Sequence, residues 1–308
     1  MKYIIKRLFY GVITLWGAAT LVFLLLRVVP SDPVELILGE SARPAQIEEL
    51  RRDLGLDKPL HVQYMEFLKG ISRGDLGRSL ISGRRVSSII IAHLTPTVNL
   101  AIISILMTII ISFPLGIGAS LNRKFELPAS FFSTAGLAIP NFWLGPLLIL
   151  LFSIKMKLLP VSGTGSIYHY ILPGITLSTA LSAYLTRIVK KSVEEERLKG
   201  YYLALVSRGF SIGYIYRKHL LPNAMIPIIT ILGLESGALL TGAIVTEKVF
   251  SIPGIGSLLI KSVSQRDYPV IQGVVLFIAG VYVLSNLMVD LSYPLIDPRV
   301  RVGGKVGD

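Results

Sequence analysis

The chain has 308 residues, of which 52% are hydrophobic and only 16% carry a charge. Soluble domains average about 25% charged residues, so this composition excludes an ordinary soluble protein and predicts a membrane protein. The net charge of +12 lies mainly in short segments beside apolar stretches, which favours a role in membrane topology over binding to nucleic acid. The absence of cysteine excludes disulfides and thiolate metal sites.

The first predicted element is a membrane span over residues 1–30. Lys2, Lys6 and Arg7 precede an apolar run that reaches Val29. That run exceeds the roughly 7–15 residues of a secretory signal core and is long enough to cross a bilayer. We therefore predict a retained span with its N-terminus inside the cell.

Residues 31–95 are predicted to form the one sizeable region outside the membrane. Two short amphipathic helices are expected there, one from Pro44 to a stop at Gly55 and one from Pro59 to Gly70. The region is too small for a hydrophobic core of its own. We interpret it as a cap on the outer membrane face where a soluble donor protein docks, and a plain spacer is the alternative.

Five further spans are predicted, at residues 96–120, 130–153, 171–190, 225–247 and 271–292. With the first span they give six crossings, so both ends of the chain, including the tail 293–308, would lie inside. The predicted inner loops and tail carry more basic residues than the outer loops, in agreement with this orientation.

Two local features of these spans predict how they bend and pack. Proline removes a backbone hydrogen bond and allows a helix to bend; the prolines concerned are Pro114, Pro140, Pro146 and Pro227. Gly233 and Gly237 form a GxxxG pattern that lets another helix approach closely. That helix could belong to this chain or to a partner.

A polar stretch, residues 191–224, interrupts the apolar second half of the chain. Helix-forming residues run from Ser192 to Arg208, and Gly209 stands where a left-handed C-terminal residue is wanted. A second helix is predicted from about Ser211 to Leu221, closed by Pro222. A rigid helical hairpin between two spans could serve as a handle for moving them, whereas a charged loop that only sets topology is the alternative.

This polar hairpin resembles the cytoplasmic loop of permease subunits of ATP-binding-cassette importers. The loop pattern there is E-A-A, three residues, Gly, nine residues and then I-x-L-P. Leu203-Ala204-Leu205 fall on E-A-A, Gly209 on the glycine, His219 on the isoleucine and Leu221-Pro222 on L-P. Leu203 replaces the glutamate, so a salt-bridging role for that position is not carried over.

Five other segments narrow the resemblance to the dipeptide, oligopeptide and nickel permease family, and together they cover essentially the whole chain. They are FLLLRVVPSDP (23–33), GDLGRSLISGRRV (74–86), IPNFWLG (139–145), RDYPVIQG (266–273) and VDLSYPLIDPR (289–299). We therefore identify the chain as a member of that permease family.

The resemblance implies an all-α polytopic membrane protein with the six-span fold of type I importers, built as a single permease domain over residues 1–308. It implies a heterodimer with a second permease subunit, two cytoplasmic ATPase subunits that hold ATP and Mg²⁺, and an extracytoplasmic substrate-binding protein. This chain itself would bind no cofactor. It would lie in the cytoplasmic membrane of a prokaryote and contact lipid.

The same resemblance places the ATPase-coupling residues on the polar hairpin. They are Tyr201, Tyr202, Ala204, Leu205, Arg208 and Gly209, with Leu221 and Pro222 holding the second helix against the bilayer. ATP binding would close the ATPase pair and push on this helix, so that the spans tilt and expose a central path to the outside. Peptides are the first expectation for the cargo, and nickel or a nickel chelate is the second.

A few polar residues within the apolar spans are candidates for the substrate path. Glu235 lies well inside a span, and a membrane-buried carboxylate is costly unless it faces a cavity or a partner. It could meet a peptide ammonium group or a cation, or it could be a protonated side chain bonded to a neighbouring helix. Asn141 and Trp143 lie at a proline kink and could line a pore or simply pack. Asn286 and Asp290 favour capping or partner contact.

Enzyme signatures are missing from the sequence. No HExxH, GxSxG or GxxxxGK[ST] pattern occurs, and the four histidines are scattered, so neither catalysis nor a metal site is predicted. An importer subunit of this kind must take its energy from separate ATPases. The rivals are a gradient-driven transporter or channel that uses Glu235, a membrane-embedded enzyme and an interaction scaffold.

Overall fold

The computed structural model describes residues 2–28, 34, 38, 43–53 and 55–296. The predicted tail from residue 297 onward and most of the segment 29–42 lie outside the described residues. Within them the chain is helical, and its β-structure is a single isolated bridge between Arg78 and Arg85.

Twelve α-helices follow one another along the described chain. They are α1 (Lys2–Val28), α2 (Pro44–Asp53), α3 (Leu60–Ser72), α4 (Val86–Leu121), α5 (Arg123–Ala138), α6 (Asn141–Leu148), α7 (Ile171–Arg197), α8 (Gly200–Ser207), α9 (Ile212–Ile215), α10 (Leu221–Val249), α11 (Ile255–Ser264) and α12 (Tyr268–Ile296). A π-helical turn extends α6 over Ile149–Lys155, another joins α9 to α10 over Tyr216–Leu220, and a 3-10 turn precedes α7.

Helix α7 lies at the centre of the fold, between α4, α5 and α10. Small residues let its neighbours approach closely. A Cβ built on Gly116 of α4 would lie 2.6 Å from the Cβ of Val189, and one on Gly136 of α5 would lie 2.8 Å from the Cβ of Ala183. Substituting either glycine would therefore push a helix away from α7.

Segments that share a predicted side of the membrane contact one another. On the predicted inner side, Lys190 Nζ lies 2.8 Å from Glu126 Oε1, and Arg197 donates a hydrogen bond to the Ser120 carbonyl at 2.9 Å. On the predicted outer side, Asp267 accepts hydrogen bonds from the Ser79 hydroxyl and from the Leu80 amide.

The predicted span 130–153 is sharply bent at Pro140, one of the prolines predicted to bend a span. Two helical pieces, Arg123–Ala138 and Asn141–Lys155, meet there at an angle of 105°. The residue before a proline is driven out of the helical region, and Ile139, before Pro140, has φ −85° and ψ 117°. This bend brings the start of α6 to the middle of the fold.

Length and apolar composition identify three span candidates in the described part of the chain. These are Ile5–Val28, Val86–Leu121 and Tyr268–Met288, or four if the bent pair crosses as one unit. Helix α4 begins at Val86, ten residues before the predicted start of its span and inside the predicted cap region. The count of six crossings stays a prediction.

The two short helices of the predicted cap are present as α2 and α3. Gly55 has the left-handed φ of +65° expected of a helix stop, while α3 continues two residues beyond Gly70. Helix α3 packs on the end of α1: Tyr64 stacks edge-on against Phe23 at 5.1 Å, and Arg27 donates a hydrogen bond to Gln63 at 2.9 Å.

Candidate functional site

The first arm of the polar hairpin is broken where the sequence predicted an unbroken helix from Ser192 to Arg208. Helix α7 ends at Arg197 and α8 begins at Gly200, with extended backbone at Lys199 (φ −74°, ψ 143°). The break turns α8 back over a buried cluster formed by Val193, Ile215, Tyr216, Leu220 and Ala224, against which Tyr201, Tyr202, Leu205 and Leu221 pack. Burial of this apolar face is the physical reason for the turn.

Glu196, in the last turn of α7, stabilises the break by hydrogen bonds to residues on its far side. Its carboxylate is almost fully buried and accepts a hydrogen bond from the Tyr201 hydroxyl at 2.7 Å and one from Lys199 Nζ at 2.5 Å. Burial, and then the bond to Glu196, raise the pKa of the Tyr201 phenol. Tyr201 therefore stays a neutral donor that holds the start of α8 on the end of α7.

Gly209 ends α8 in the predicted left-handed conformation, with φ +81°. The Gly209 amide bonds the Val206 carbonyl at 3.0 Å, and the Phe210 amide bonds the Leu205 carbonyl at 3.3 Å. This pair of bonds is the Schellman motif. A Cβ at Gly209 would touch nothing within 4 Å, so glycine is needed there for its backbone conformation and not for space.

The second arm does not end at Pro222, contrary to the prediction. Helix α9, the π-helical turn and α10 follow without a gap, and Pro222 lies in the first turn of α10. Proline removes one backbone hydrogen bond from a continuous helix, and here the π-helical turn Tyr216–Leu220 lies directly before it. The hairpin is therefore joined to α10 by continuous helix, without a flexible joint.

The coupling residues predicted from the sequence fall on two different faces. Tyr201, Tyr202 and Leu205 point to the buried cluster, and Leu221 is half-buried beside it. Ala204, Arg208, Gly209 and Pro222 are exposed. The exposed side also carries apolar side chains that were not among the predicted coupling residues: Leu203, which is 68% exposed, Val206, Phe210, Ile212 and Tyr214.

Two of the predicted path residues line one cavity. The cavity has a volume of about 360 Å³, and its walls are Leu137, Asn141, Leu177, Ala180, Leu181, Tyr184, Glu235 and Leu239. Asn141 reaches it because of the bend before α6, and Tyr184 of α7 joins them. Trp143 is not among the lining residues and is 53% exposed on the outside of α6.

Glu247, near the end of α10, is a second acid in an apolar segment, and it is completely buried. Its Oε1 accepts a hydrogen bond from Thr97 Oγ1 at 2.6 Å, and its Oε2 accepts one from the Ser257 amide at 2.9 Å. Its partner helix, α11, was also not predicted. The short apolar run Ile255–Ser264, between two predicted spans, was the sequence feature that could have predicted this helix.

One of the two predicted glycines packs within this chain. A Cβ on Gly237 would meet Tyr282 Cδ2 at 3.2 Å and Ser285 Cβ at 3.4 Å, so Gly237 packs α10 against α12. Asn286 lines a groove between α12 and α1 together with Arg7. The side chain of Asp290 lies outside the described residues.

Two family models match the chain over most of its length. Residues 112–302 match "Binding-protein-dependent transport system inner membrane component", and residues 1–101 match the N-terminal model of the same kind of membrane component. The glutathione transport system permease protein GsiC of Salmonella choleraesuis (strain SC-B67) is 40% identical over 303 residues, which cover 98% of this chain and 99% of the relative. GsiC of Escherichia coli (strain K12) matches with the same identity and coverage.

The fold has a counterpart among solved structures. A chain described as "Crystal structure of an amino acid ABC transporter with histidines" superimposes with a TM-score of 0.50 at 20% sequence identity. The superposition covers 70% of the present chain and 95% of that chain. The chain therefore belongs to the family of binding-protein-dependent transport system inner membrane components, as a permease subunit of an ABC importer.

Proposed function

We propose that this permease subunit translocates short peptides or peptide-like molecules across the cytoplasmic membrane of a prokaryote. The observation that carries the coupling part of the proposal is the unbroken run of helix from Ile212 to Val249. It joins the polar hairpin, which carries exposed apolar side chains, to α10. The full-length similarity to glutathione permeases, whose cargo is a tripeptide, supports the choice of substrate.

The polar hairpin is the docking element for the ATPase pair in this proposal. Leu203, Val206 and Phe210 supply the apolar contact, with Ala204 and Arg208 beside them, because these side chains are exposed and point away from the buried cluster. Tyr201, Tyr202 and Leu205 position α8 from behind. Exposed apolar side chains gathered on one face are typical of a protein interface.

Force from the closing ATPases would reach α10 through rigid contacts. A push on α8 is transmitted by the buried cluster to the π-helical turn Tyr216–Leu220, which continues directly as α10. The other arm is held by Glu196 and by the bond from Arg197 to the Ser120 carbonyl. Since α10 carries Glu235, movement of the hairpin would reshape the cavity that Glu235 lines.

The assembly would contain a second permease subunit, two ATPases holding ATP and Mg²⁺, and an extracytoplasmic binding protein, with six spans and both ends of this chain inside. Nickel is the second candidate cargo. No group of three or more His, Cys, Asp or Glu side chains that could hold a metal ion occurs among the described residues, which favours peptides. A gradient-driven transporter through Glu235 would need no docking hairpin.

Reconstitution of the whole importer in proteoliposomes tests the proposal. ATP-dependent uptake of trialanine or glutathione, dependent on the cognate binding protein and insensitive to a proton uncoupler, is the expected result. Uptake of Ni²⁺ without peptide would favour the second candidate. Uptake that needs a proton gradient and no ATP would contradict the proposal.

A further inference from the structure

We infer that the cavity around Glu235 binds the ammonium group of the transported substrate, with the Glu235 carboxylate as its counter-ion and Asn141 and Tyr184 as neutral hydrogen-bond partners. The inference rests on the proposed function, because it names the part of a peptide that this site would recognise.

The cavity is lined by side chains from four helices, α5, α6, α7 and α10. Glu235 is the middle residue of α10, and Asn141 is the first residue of α6, directly after the 105° bend. Tyr184 comes from α7, the central helix. Side chains distant in sequence therefore converge on one space of about 360 Å³.

The three polar side chains at this cavity have no partner within the described part of the chain. Neither Glu235 nor Asn141 nor Tyr184 makes a hydrogen bond or ion pair with a described residue. Glu247 on the same helix shows the opposite arrangement, since both of its oxygens accept hydrogen bonds within this chain. An ionisable side chain in an apolar segment faces a water-filled cavity or a partner, so the Glu235 carboxylate, with no partner among the described residues, is available to a ligand in this cavity.

The chemistry of the lining selects an ammonium group over other ligands. No Lys or Arg lines the cavity, so an anionic group would meet the Glu235 carboxylate without a compensating charge. Metal ions need several oxygen, nitrogen or sulfur ligands. The polar groups that line this cavity are one carboxylate, one amide and one phenol, which is a poor ligand set for a metal ion. An ammonium group offers three donors, which match these three acceptors.

The remaining walls explain how the site could accept many peptides. Leu137, Leu177, Ala180, Leu181 and Leu239 present an apolar surface without hydrogen-bonding groups. Such a surface tolerates different side chains, while the shared N-terminal ammonium provides the one specific contact. The volume is at the lower end of the roughly 300–1,000 Å³ of small-molecule sites, which suits a short peptide.

Binding of two matched peptides to the permease–ATPase complex in nanodiscs, without binding protein, tests the inference. Trialanine carries the ammonium group and N-acetyltrialanine lacks it. The wild-type complex should bind trialanine about tenfold more tightly, the size expected for a charge-assisted hydrogen bond. Glu235→Gln should remove this preference, Glu235→Asp should keep most of it, and Tyr184→Phe should reduce it.

Thr230→Val is the matched control on the same helix, because the Thr230 hydroxyl bonds the Ile226 carbonyl within α10. It should leave the preference unchanged. Equal binding of the two peptides by the wild type, or a preference that survives Glu235→Gln, would overturn the inference. This binding test and the uptake test of the proposed function can fail independently. A negative binding result would leave ATP-dependent peptide uptake by the full importer unaffected, whereas failure of that uptake would reject the proposed cargo.

Discussion

Thr97 Oγ1 donates a hydrogen bond to Glu247 Oε1 at 2.6 Å, and the same hydroxyl oxygen accepts the Ile255 amide at 2.8 Å. These two bonds join α4, α10 and the start of α11 at one buried point. Ser257 completes the arrangement by donating its amide to the second oxygen of Glu247. The carboxylate thus accepts an amide that would otherwise be free at the N-terminus of α11. A helix N-terminus also favours a negative charge nearby. Gly254 leaves room for it, since a Cβ there would overlap the carboxylate.

Thr97→Val is expected to destabilise the protein by about 1–3 kcal/mol, because the Glu247 carboxylate loses a donor and the Ile255 amide loses an acceptor in a buried place. Thermal unfolding of the purified complex in detergent measures the effect. Thr97→Ser keeps the hydroxyl and is the matched control, which should unfold within a few degrees of the wild type. Equal losses for valine and serine would contradict the proposed role of the hydroxyl.

Gly209→Val is expected to uncouple ATP hydrolysis from uptake while leaving the subunit inserted in the membrane. A β-branched residue at a φ of +81° strains the backbone and would displace the end of α8. ATPase activity and substrate uptake of the same proteoliposomes provide the measurement. Gly213→Val is the control, because Gly213 also has open space around it but lies within α9 without a positive φ. Normal coupling in the Gly209 variant would count against the hairpin as the coupling element.

Leu203→Ser and Leu205→Ser should separate docking from internal packing. Leu203 is exposed, so its replacement should weaken co-purification with the ATPases and leave the melting temperature of the permease nearly unchanged. Leu205 packs against the buried cluster, so its replacement should lower the melting temperature. The corresponding loss in free energy of unfolding is about 1–3 kcal/mol, as is typical of a partly buried leucine. If both variants behaved alike, the assignment of the two faces of α8 would be wrong.

Tyr201→Phe should loosen the break between α7 and α8, because the buried Glu196 carboxylate loses one of its two donors. A loss of about 1–3 kcal/mol is expected for a hydrogen bond to a charged group. Greater proteolytic cleavage near Leu198 is the measurement, since Leu198 is exposed at the break. Asn223→Ala is the comparison, because its contact with the Tyr201 hydroxyl is longer, at 3.4 Å, and should matter less.

The same tyrosine predicts a pH dependence. Burial raises the pKa of the Tyr201 phenol, so the stability it contributes is fully present below the unfolded value of about 10. That contribution is lost as the pH rises through the folded pKa, because ionised Tyr201 would face the Glu196 carboxylate. Cleavage at Leu198 should therefore increase in strongly alkaline buffer for the wild type. In Tyr201→Phe it should show no comparable increase.

Features that short stretches encode can be predicted from the amino-acid sequence alone. Its apolar runs predicted a helical membrane protein, the proline before Asn141 predicted a bend, and Gly209 predicted the left-handed end of α8. Gly55 predicted the stop after α2 in the same way. Each of these depends on backbone preferences or hydropathy over a few neighbouring residues, so no distant contact was needed.

Which residues share a site depends on contacts between distant parts of the chain. Thr97 and Glu247 are 150 positions apart, and no local pattern distinguishes Glu247, bonded on both oxygens, from Glu235, which faces a cavity. The break after Arg197 likewise depends on the cluster beneath α8. Burying that apolar face outweighs the local preference for an unbroken helix, because burial energy depends on which surfaces meet in space.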